Sequence, residues 1–307
     1  MIKYVEPKNI DKQKWDDVIT NSPISNIFCY SWYLDTVSDN WGALIKGDYD
    51  LIMPIPYTKK LGIKQVYLPF FARELTVFSK SVVTESLTSE FLKQIPKEFR
   101  SVNIGFTKIE GIPQHFRIEE FPHQELSIDE EYININTNFS TNAKRIIKKA
   151  HKQELNLKPL GKVDEIVELF KSTKGRDIKS LGEQDYQNLI ALMQACLNHK
   201  KGQAYGVYQK DELLSCGFFM IDKLRITYLK GASTEKGKKI GASYFLFDRV
   251  IEKYSGKHYV LDFGGSKIEG VANFYKKFGA SDAFYLFLTH NNLPSYFKLL
   301  KKVKNKL

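Results

Sequence analysis

The feature that most constrains this chain is the stretch from Ala204 to Lys230. Three apolar runs, Ala204–Tyr208, Leu213–Ile221 and Leu224–Lys230, are parted there by two short polar segments. Runs of this length between turn-forming residues read as an antiparallel meander. A segment rich in glycine, serine and lysine follows from Gly231 to Gly241 and is expected as a loop. Phe247, Val250, Ile251 and Tyr254 then recur at i, i+3, i+4, i+7, the period of a helix with one buried face. His258–Phe263 reads as a strand stopped by Gly264 and Gly265, followed by a short helix over Val271–Phe278 and a last strand over Ala283–Thr289. Upstream, Tyr186, Leu189, Ile190, Met193, Cys196 and Leu197 form the stripe of a long helix, and Ile166, Val167 and Phe170 that of a shorter one.

The first half repeats this order more faintly. A helix around Trp15–Ile19 precedes strands at Ala43–Lys46, Leu51–Pro56 and Gln65–Leu68, a helix around Leu87–Leu92 and a strand at Ser101–Phe106. A repeated order implies a repeated unit. The expected fold is therefore mixed α/β, with two domains, each a mostly antiparallel mixed sheet flanked by helices. The expected division is 1–135 and 136–307, with the boundary in the Asn-rich segment Tyr132–Asn142. At 307 residues and 43% hydrophobic content the chain can fill two ordinary cores.

The junction Lys236-Gly237-Lys238-Lys239-Ile240-Gly241-Ala242-Ser243 combines glycines, lysines and the start of the apolar helix. A helix N-terminus presents unpaired N–H groups and a positive dipole end, so such an entry is a physical site for a pyrophosphate. It is not a Walker A loop, because Lys238 is followed by Lys239 rather than Ser or Thr. A solvated basic loop is the alternative reading. The helix expected from Ala143 to Lys152 places Lys144, Arg145, Lys148, Lys149 and Lys152 around an apolar side, a surface suited to an anion or simply to water. Near the C-terminus, Tyr296, Leu299, Leu300 and Val303 form a stripe beside five lysines, a basic amphipathic pattern that can rest on an acidic membrane surface or cap a domain. The net charge of +11 and pI near 9.2 favour anionic partners in general.

Other chemistries fit poorly. Cys29, Cys196 and Cys216 form no CxxC pair and leave an odd count, which points to a reducing compartment, the cytoplasm. No run of 18 apolar residues is present, so no transmembrane segment is expected. Cys196 and His199 can meet on one helix, but Cys196 falls on its apolar stripe. The histidines show no paired metal spacing; His123 near Glu125 lacks a second ligand in the sequence, and no metal is expected.

The meander, the basic loop, the apolar helix and the tail Leu261-Asp262-Phe263-Gly264-Gly265-Ser266 through Asn273-Phe274-Tyr275-Lys276-Lys277-Phe278-Gly279-Ala280 together resemble the C-terminal core of FemABX and related GNAT proteins. Asn142–Lys152 resembles the basic helix that opens the second half in that family. Phe28–Leu34 and Tyr67–Leu75, the latter with Arg73, resemble segments of its first half. In the frame usually written Gln/Arg-x-x-Gly-x-Gly/Ala this chain has Lys238, Gly241 and Ser243, and in the Phe-Lys-x-x-Phe-Gly frame Tyr275 takes the lysine position with Lys276 after it.

The resemblance implies two tandem GNAT-like domains, the first degenerate and the second holding the donor site. It implies transfer of an acyl or aminoacyl group to an amine of a small molecule or cell-envelope precursor, the donor being acyl-CoA or aminoacyl-tRNA rather than a permanently bound cofactor. Acyl transfer needs a proton acceptor, donors for the oxyanion and an acid for the leaving group. The candidates are Asp262, Glu269, Tyr275 and Lys276. Lys238, Lys239, Ile240, Gly241, Ala242 and Ser243 are the donor-binding candidates, and Arg73, Lys144, Arg145 and Lys148 the anion-binding ones. Asp262 before Gly-Gly reads equally as a turn former. A protein that keeps the fold for binding alone, and a general binder of tRNA or other nucleic acid, are the competing readings.

Overall fold

The computed structural model describes residues 1–173, 175, 182–264 and 268–294. In chain order the first elements are β1 (Ile2–Val5), α1 (Lys12–Asn21), α2 (Ser31–Val37), β2 (Asn40–Lys46), β3 (Leu51–Lys60), β4 (Ile63–Tyr67), α3 (Glu85–Lys93), β5 (Phe99–Phe106) and β6 (Arg117–Ser127). Then come α4 (Tyr132–Thr137), α5 (Thr141–His151), β7 (Leu155–Pro159), α6 (Asp164–Ser172), α7 (Glu183–Asn198), β8 (Gly202–Gln209), β9 (Glu212–Ile221) and β10 (Arg225–Ser233). The last are α8 (Glu235–Ile240), α9 (Ala242–Tyr254), β11 (Val260–Asp262), α10 (Glu269–Lys276) and β12 (Ser281–Asn291). Among the described residues no helix is long and apolar enough to cross a membrane. The basic amphipathic pattern at 296–306 lies outside the described residues.

The chain forms two compact units. Unit 1 comprises residues 1–24, 28–121 and 285–307, and unit 2 comprises 25–27 and 122–284. Unit 1 holds strands in the order β1-β2-β3-β4-β5-β12, antiparallel except for the parallel pair β4/β5. Unit 2 holds β6-β11-β10-β9-β8-β7, again antiparallel except for one parallel pair, β10/β11. The two patterns match strand for strand, which is the repeat the sequence shows. The sixth strand of each is exchanged, however: unit 1 is completed by β12 from the chain's end, and unit 2 by the last residues of β6. The boundary expected at 135 falls inside α4, within unit 2.

The core of unit 2 explains why its central strands read as unbroken apolar runs. Leu214, Cys216, Phe218, Phe219 and Met220 of β9 are all buried, because helices pack on both faces of the strand, α9 on one and α6 on the other. Phe245, Leu246, Phe247, Val250 and Ile251 of α9 are buried too, and Phe247 meets Phe219, Tyr228, Phe263, Phe274, Tyr275 and Phe278. In unit 1 Trp15 is fully buried, donates from Nε1 to the Cys29 carbonyl at 2.9 Å and packs on Trp41.

One expectation is corrected. The loop expected from Gly231 to Gly241 is the end of β10 followed by helix α8. Thr234 caps that helix by accepting the Gly237 N–H at 2.9 Å, and a short polar cap of this kind turns a lysine-rich stretch into a helical turn. Gly237 permits the close approach, since a Cβ there would lie 2.2 Å from the Leu214 carbonyl oxygen.

Candidate active site

Strand β10 is paired to β11 only from Arg225 to Thr227, the last pair being Thr227 with Asp262. Beyond it β10 bulges between Tyr228 and Lys230 and runs on to Ser233 beside β9. The chain from β11 turns away instead, through Gly264, towards α10. The sheet therefore opens, and a cavity of about 350 Å³ lies in the opening. Tyr228, Gly231, Ala232 and Ser233 of β10 form one wall, and Gly270, Val271, Phe274 and Tyr275 of α10 another. Leu246 and Phe247 of α9, with Cys216 of β9, add apolar surface, while Lys238, Gly241, Ser243 and Tyr244 bring the polar groups.

Gly241 sets the geometry of those polar groups. It closes α8 and caps α9 with φ 83°, in the left-handed region that glycine adopts without cost. A Cβ there would lie 2.7 Å from Cγ2 of Ile146, so glycine also lets α5 pack against the junction. The first N–H groups of α9 and the Lys238 ammonium thus border the same space, an arrangement suited to a phosphate. Lys238 also pairs with Glu235 at 2.5 Å and is half exposed.

Three serines line the cavity in a chain of hydrogen bonds. Ser215 Oγ donates to the Ala232 carbonyl (3.2 Å), Ser233 Oγ donates to Ser215 (2.7 Å), and Ser243 Oγ lies 2.6 Å from Ser233. Each hydroxyl has one hydrogen, so Ser243 must donate inward and turn lone pairs towards the cavity. It is placed to accept an N–H of a ligand.

Tyr275 is buried and stacks on Phe263 at 4.7 Å. Burial, with the Asp262 carboxylate nearby, raises its pKa, and burial likewise raises that of Tyr228 well above its ordinary value, so both phenols stay protonated at neutral pH. Burial likewise pushes the Cys216 thiol up to about 12, which leaves it a poor nucleophile.

The structure separates the remaining candidates. Asp262 is fully buried, takes the Gly264 N–H at 2.9 Å on Oδ1 and Arg225 at 3.0 Å on Oδ2. It faces away from the cavity, since Leu261 and Phe263 on either side of it point into the α9 core. Glu269 is exposed at the start of α10, one residue from Gly270 of the cavity wall. Lys276 is turned outward and pairs with Asp282 at 2.6 Å. Lys277, one residue on, reaches Tyr244 Oη of the cavity wall at 3.3 Å. The spacing of Val271, Phe274, Tyr275 and Phe278 was the signal for this, as it turns Tyr275 inward and Lys276 out.

Of the proposed donor-binding residues, Lys238, Gly241 and Ser243 line the cavity, Ala242 is buried, Ile240 packs against the core and Lys239 is exposed. Lys144, Arg145 and Lys148 are exposed on α5, the first two held by the Thr137 carbonyl and Asn142. Arg73 lies in unit 1, buried between the Phe28 and Tyr285 rings and paired with Glu74 at 2.7 Å.

His123 near Glu125, and Asp262, were named singly from the sequence; their meeting across β6, β11 and β10, and the part of Arg225 in it, were not. His123 Nε2 lies 2.7 Å from Glu125, and Arg225 donates to both Glu125 and Asp262. His123, Glu125 and Asp262 bring ligand atoms within 4.8 Å of one another, but the guanidinium already supplies the positive charge that a metal would bring. Burial opposes ionisation of Glu125, and His123 and Arg225 outweigh it, holding the carboxyl below its ordinary value.

Residues 138–277 match the family model described as an acetyltransferase (GNAT) domain. The fold is similar over nearly the whole chain to FemX, with 15% identity, a TM-score of 0.69 and coverage of 96% of this chain and 98% of that one. It is similar to L-PGS from Bacillus licheniformis (11% identity, TM-score 0.55, 98% and 97% covered). A tandem GNAT protein from the clavulanic acid biosynthesis pathway is also similar (10%, TM-score 0.53, 96% and 100% covered). No curated protein matches the chain in sequence.

Proposed function

We propose, from a FemABX-like tandem GNAT fold whose acetyltransferase domain spans residues 138–277, that this chain moves an acyl or aminoacyl group from an activated donor to an amine. The observation that carries the reading is the cavity where β10 and β11 part. It joins a phosphate-seeking mouth (Lys238 and the start of α9) to an apolar interior that ends at two protonated tyrosines.

In such a transfer the amine nitrogen attacks the donor carbonyl carbon, and the C=O electron pair moves onto oxygen. The tetrahedral intermediate then expels a thiolate or an alkoxide, and the proton lost by the amine passes through solvent to that leaving group. Tyr275 and Tyr228 can donate to the oxyanion or protonate the leaving group, because both hold their hydrogens at neutral pH. Ser243, turned to accept, suits an amide or amine N–H of the donor. The donor is acyl-CoA or an aminoacyl-tRNA, both polyanions. The exposed cations of α5 support this, since α5 packs against Gly241 and brings Lys144, Arg145, Lys148 and Lys149 to the helix beside the mouth. The acceptor is an amine of a small molecule or cell-envelope precursor, and the work is done in the cytoplasm, where these donors are found.

The test offers acetyl-CoA and aminoacyl-tRNA separately to the protein with a panel of amines, including a UDP-linked muropeptide, and follows mass gain of the acceptor. Transfer from one donor that collapses in Tyr275→Phe supports the reading. No mass gain with any pair, in protein that still binds a donor, favours a fold retained for binding alone.

A further inference from the structure

We infer that unit 1 carries a second ligand site, a pocket for a phosphate-bearing small molecule formed by Lys93, Lys97, Arg100, His115 and His290. It is independent of the transfer reading and uses none of the residues of the unit 2 cavity.

The pocket has a volume of about 360 Å³ and gathers these side chains from five places: the end of α3, the turn after it, the start of β5, the loop before β6, and β12. No acidic residue lines it. Lys93, Lys97 and Arg100 border it together, and among the described residues no salt bridge ties any of the three to a carboxylate. The acid nearest in sequence, Glu98, is given to Lys64 at 3.2 Å. Three uncommitted cations around one concavity repel one another, and a bound anion relieves that repulsion.

The histidines add a second, independent indication. Their rings meet edge to face with centroids 5.0 Å apart. His290 Nδ1 lies 3.1 Å from the His115 carbonyl oxygen, so it carries the hydrogen and leaves Nε2 for a ligand. Burial, and then repulsion from His290, hold His115 below its ordinary value, so a nearby anion is what would favour the charged form of that ring. An anion received by Lys93, Lys97 and Arg100 supplies that negative charge and draws a proton onto His115.

Phosphate fits this set better than carboxylate does. Its oxygens can engage the fork of Arg100 and still reach both lysines and an imidazolium. The volume exceeds that of a bare phosphate, and Phe99 and Phe116 give the rest of the pocket an aromatic floor, with Phe116 4.3 Å from the His115 ring. A phosphate ester carrying a small ring would fill the space.

The test is calorimetric titration of the full chain with inorganic phosphate, phenyl phosphate and sulfate. We expect saturable binding of one equivalent, with phenyl phosphate tighter than phosphate. In Lys97→Gln/Arg100→Gln the affinity should fall about tenfold or more, a change of about 1.4 kcal/mol or above. Sulfate keeps a fixed charge between about pH 6 and 8, so its affinity should rise as pH falls if His115 takes up a proton. Lys59→Gln/Lys60→Gln removes equal charge from exposed positions of β3 and should leave binding unchanged. The proposal is overturned by absent or non-saturating binding, by equal losses in the two double variants, or by sulfate affinity that does not depend on pH.

Discussion

The Tyr275 hydroxyl is the smallest feature to which the account gives a chemical task. It sits on a ring held by Phe263, Phe247 and Tyr228, so replacing it with phenylalanine leaves that packing in place. Tyr275→Phe should melt close to the parent and transfer the acyl group about 100-fold more slowly, the usual loss for one oxyanion donor. Gly241 is the residue whose backbone the site cannot replace. Gly241→Ala forces a left-handed alanine against Ile146 and should cost about 2 kcal/mol in urea unfolding, with donor binding weakened as well. At Glu125 the carboxyl is held below its usual 4.5 in the fold, so ionisation stabilises the protein above that value. The contribution is lost as pH falls through the folded pKa. The acid limb of the stability curve, followed by circular dichroism, should therefore be shallower in Glu125→Gln.

At the scale of elements, Arg225 of β10 joins Asp262 of β11 to Glu125 of β6. Arg225→Met would strand a fully buried Asp262 without its cation, and breaking a buried pair in this way costs about 3 kcal/mol. Thermal melting of Arg225→Met should show that loss, and adding Asp262→Asn should recover part of it. Helices with a strong apolar stripe, α7 and α9, and the meander β8–β10 were legible in the sequence because burial imposes their periodicity. Helix α8 was not, since its six residues are mostly lysine and glycine and its one sign is the cap at Thr234. Strand β6 escaped for a related reason: Arg117–Glu120 is exposed and the polar residues His123 and Gln124 are buried, so no alternation shows. The polar cluster on that strand is assembled by register, Asp262 opposite Glu125, which no local motif records. The cavity was legible only in part: Lys238, Gly241, Ser243 and Tyr275 were named from the sequence. Tyr228 and the Ser215–Ser233 link depend on where two strands separate.

For the whole molecule, the exchanged sixth strands decide what can be cut. A fragment of residues 136–307 would lack the β6 residues that pair with β11 and would hold β12 without its partner β5. Open sheet edges of this kind aggregate. Fragments 1–135 and 136–307 expressed apart should be insoluble or molten by circular dichroism and gel filtration; two monodisperse, cooperatively folding halves would show that neither unit needs the strand supplied from elsewhere in the chain.

The claim that the unit 2 cavity receives the donor is tested most directly by thermal-shift titration with acetyl-CoA and with a non-hydrolysable 3′-aminoacyl adenosine, the end of an aminoacyl-tRNA. The parent protein is compared with Gly270→Trp, which puts a large side chain at a residue lining the cavity, where an added Cβ meets nothing within 4 Å. The account predicts saturable stabilisation of the parent by one of the two, about 2.7 kcal/mol at a hundredfold excess over Kd, and none in a variant that melts like the parent. No shift with either ligand, or a shift that Gly270→Trp keeps in full, would contradict it.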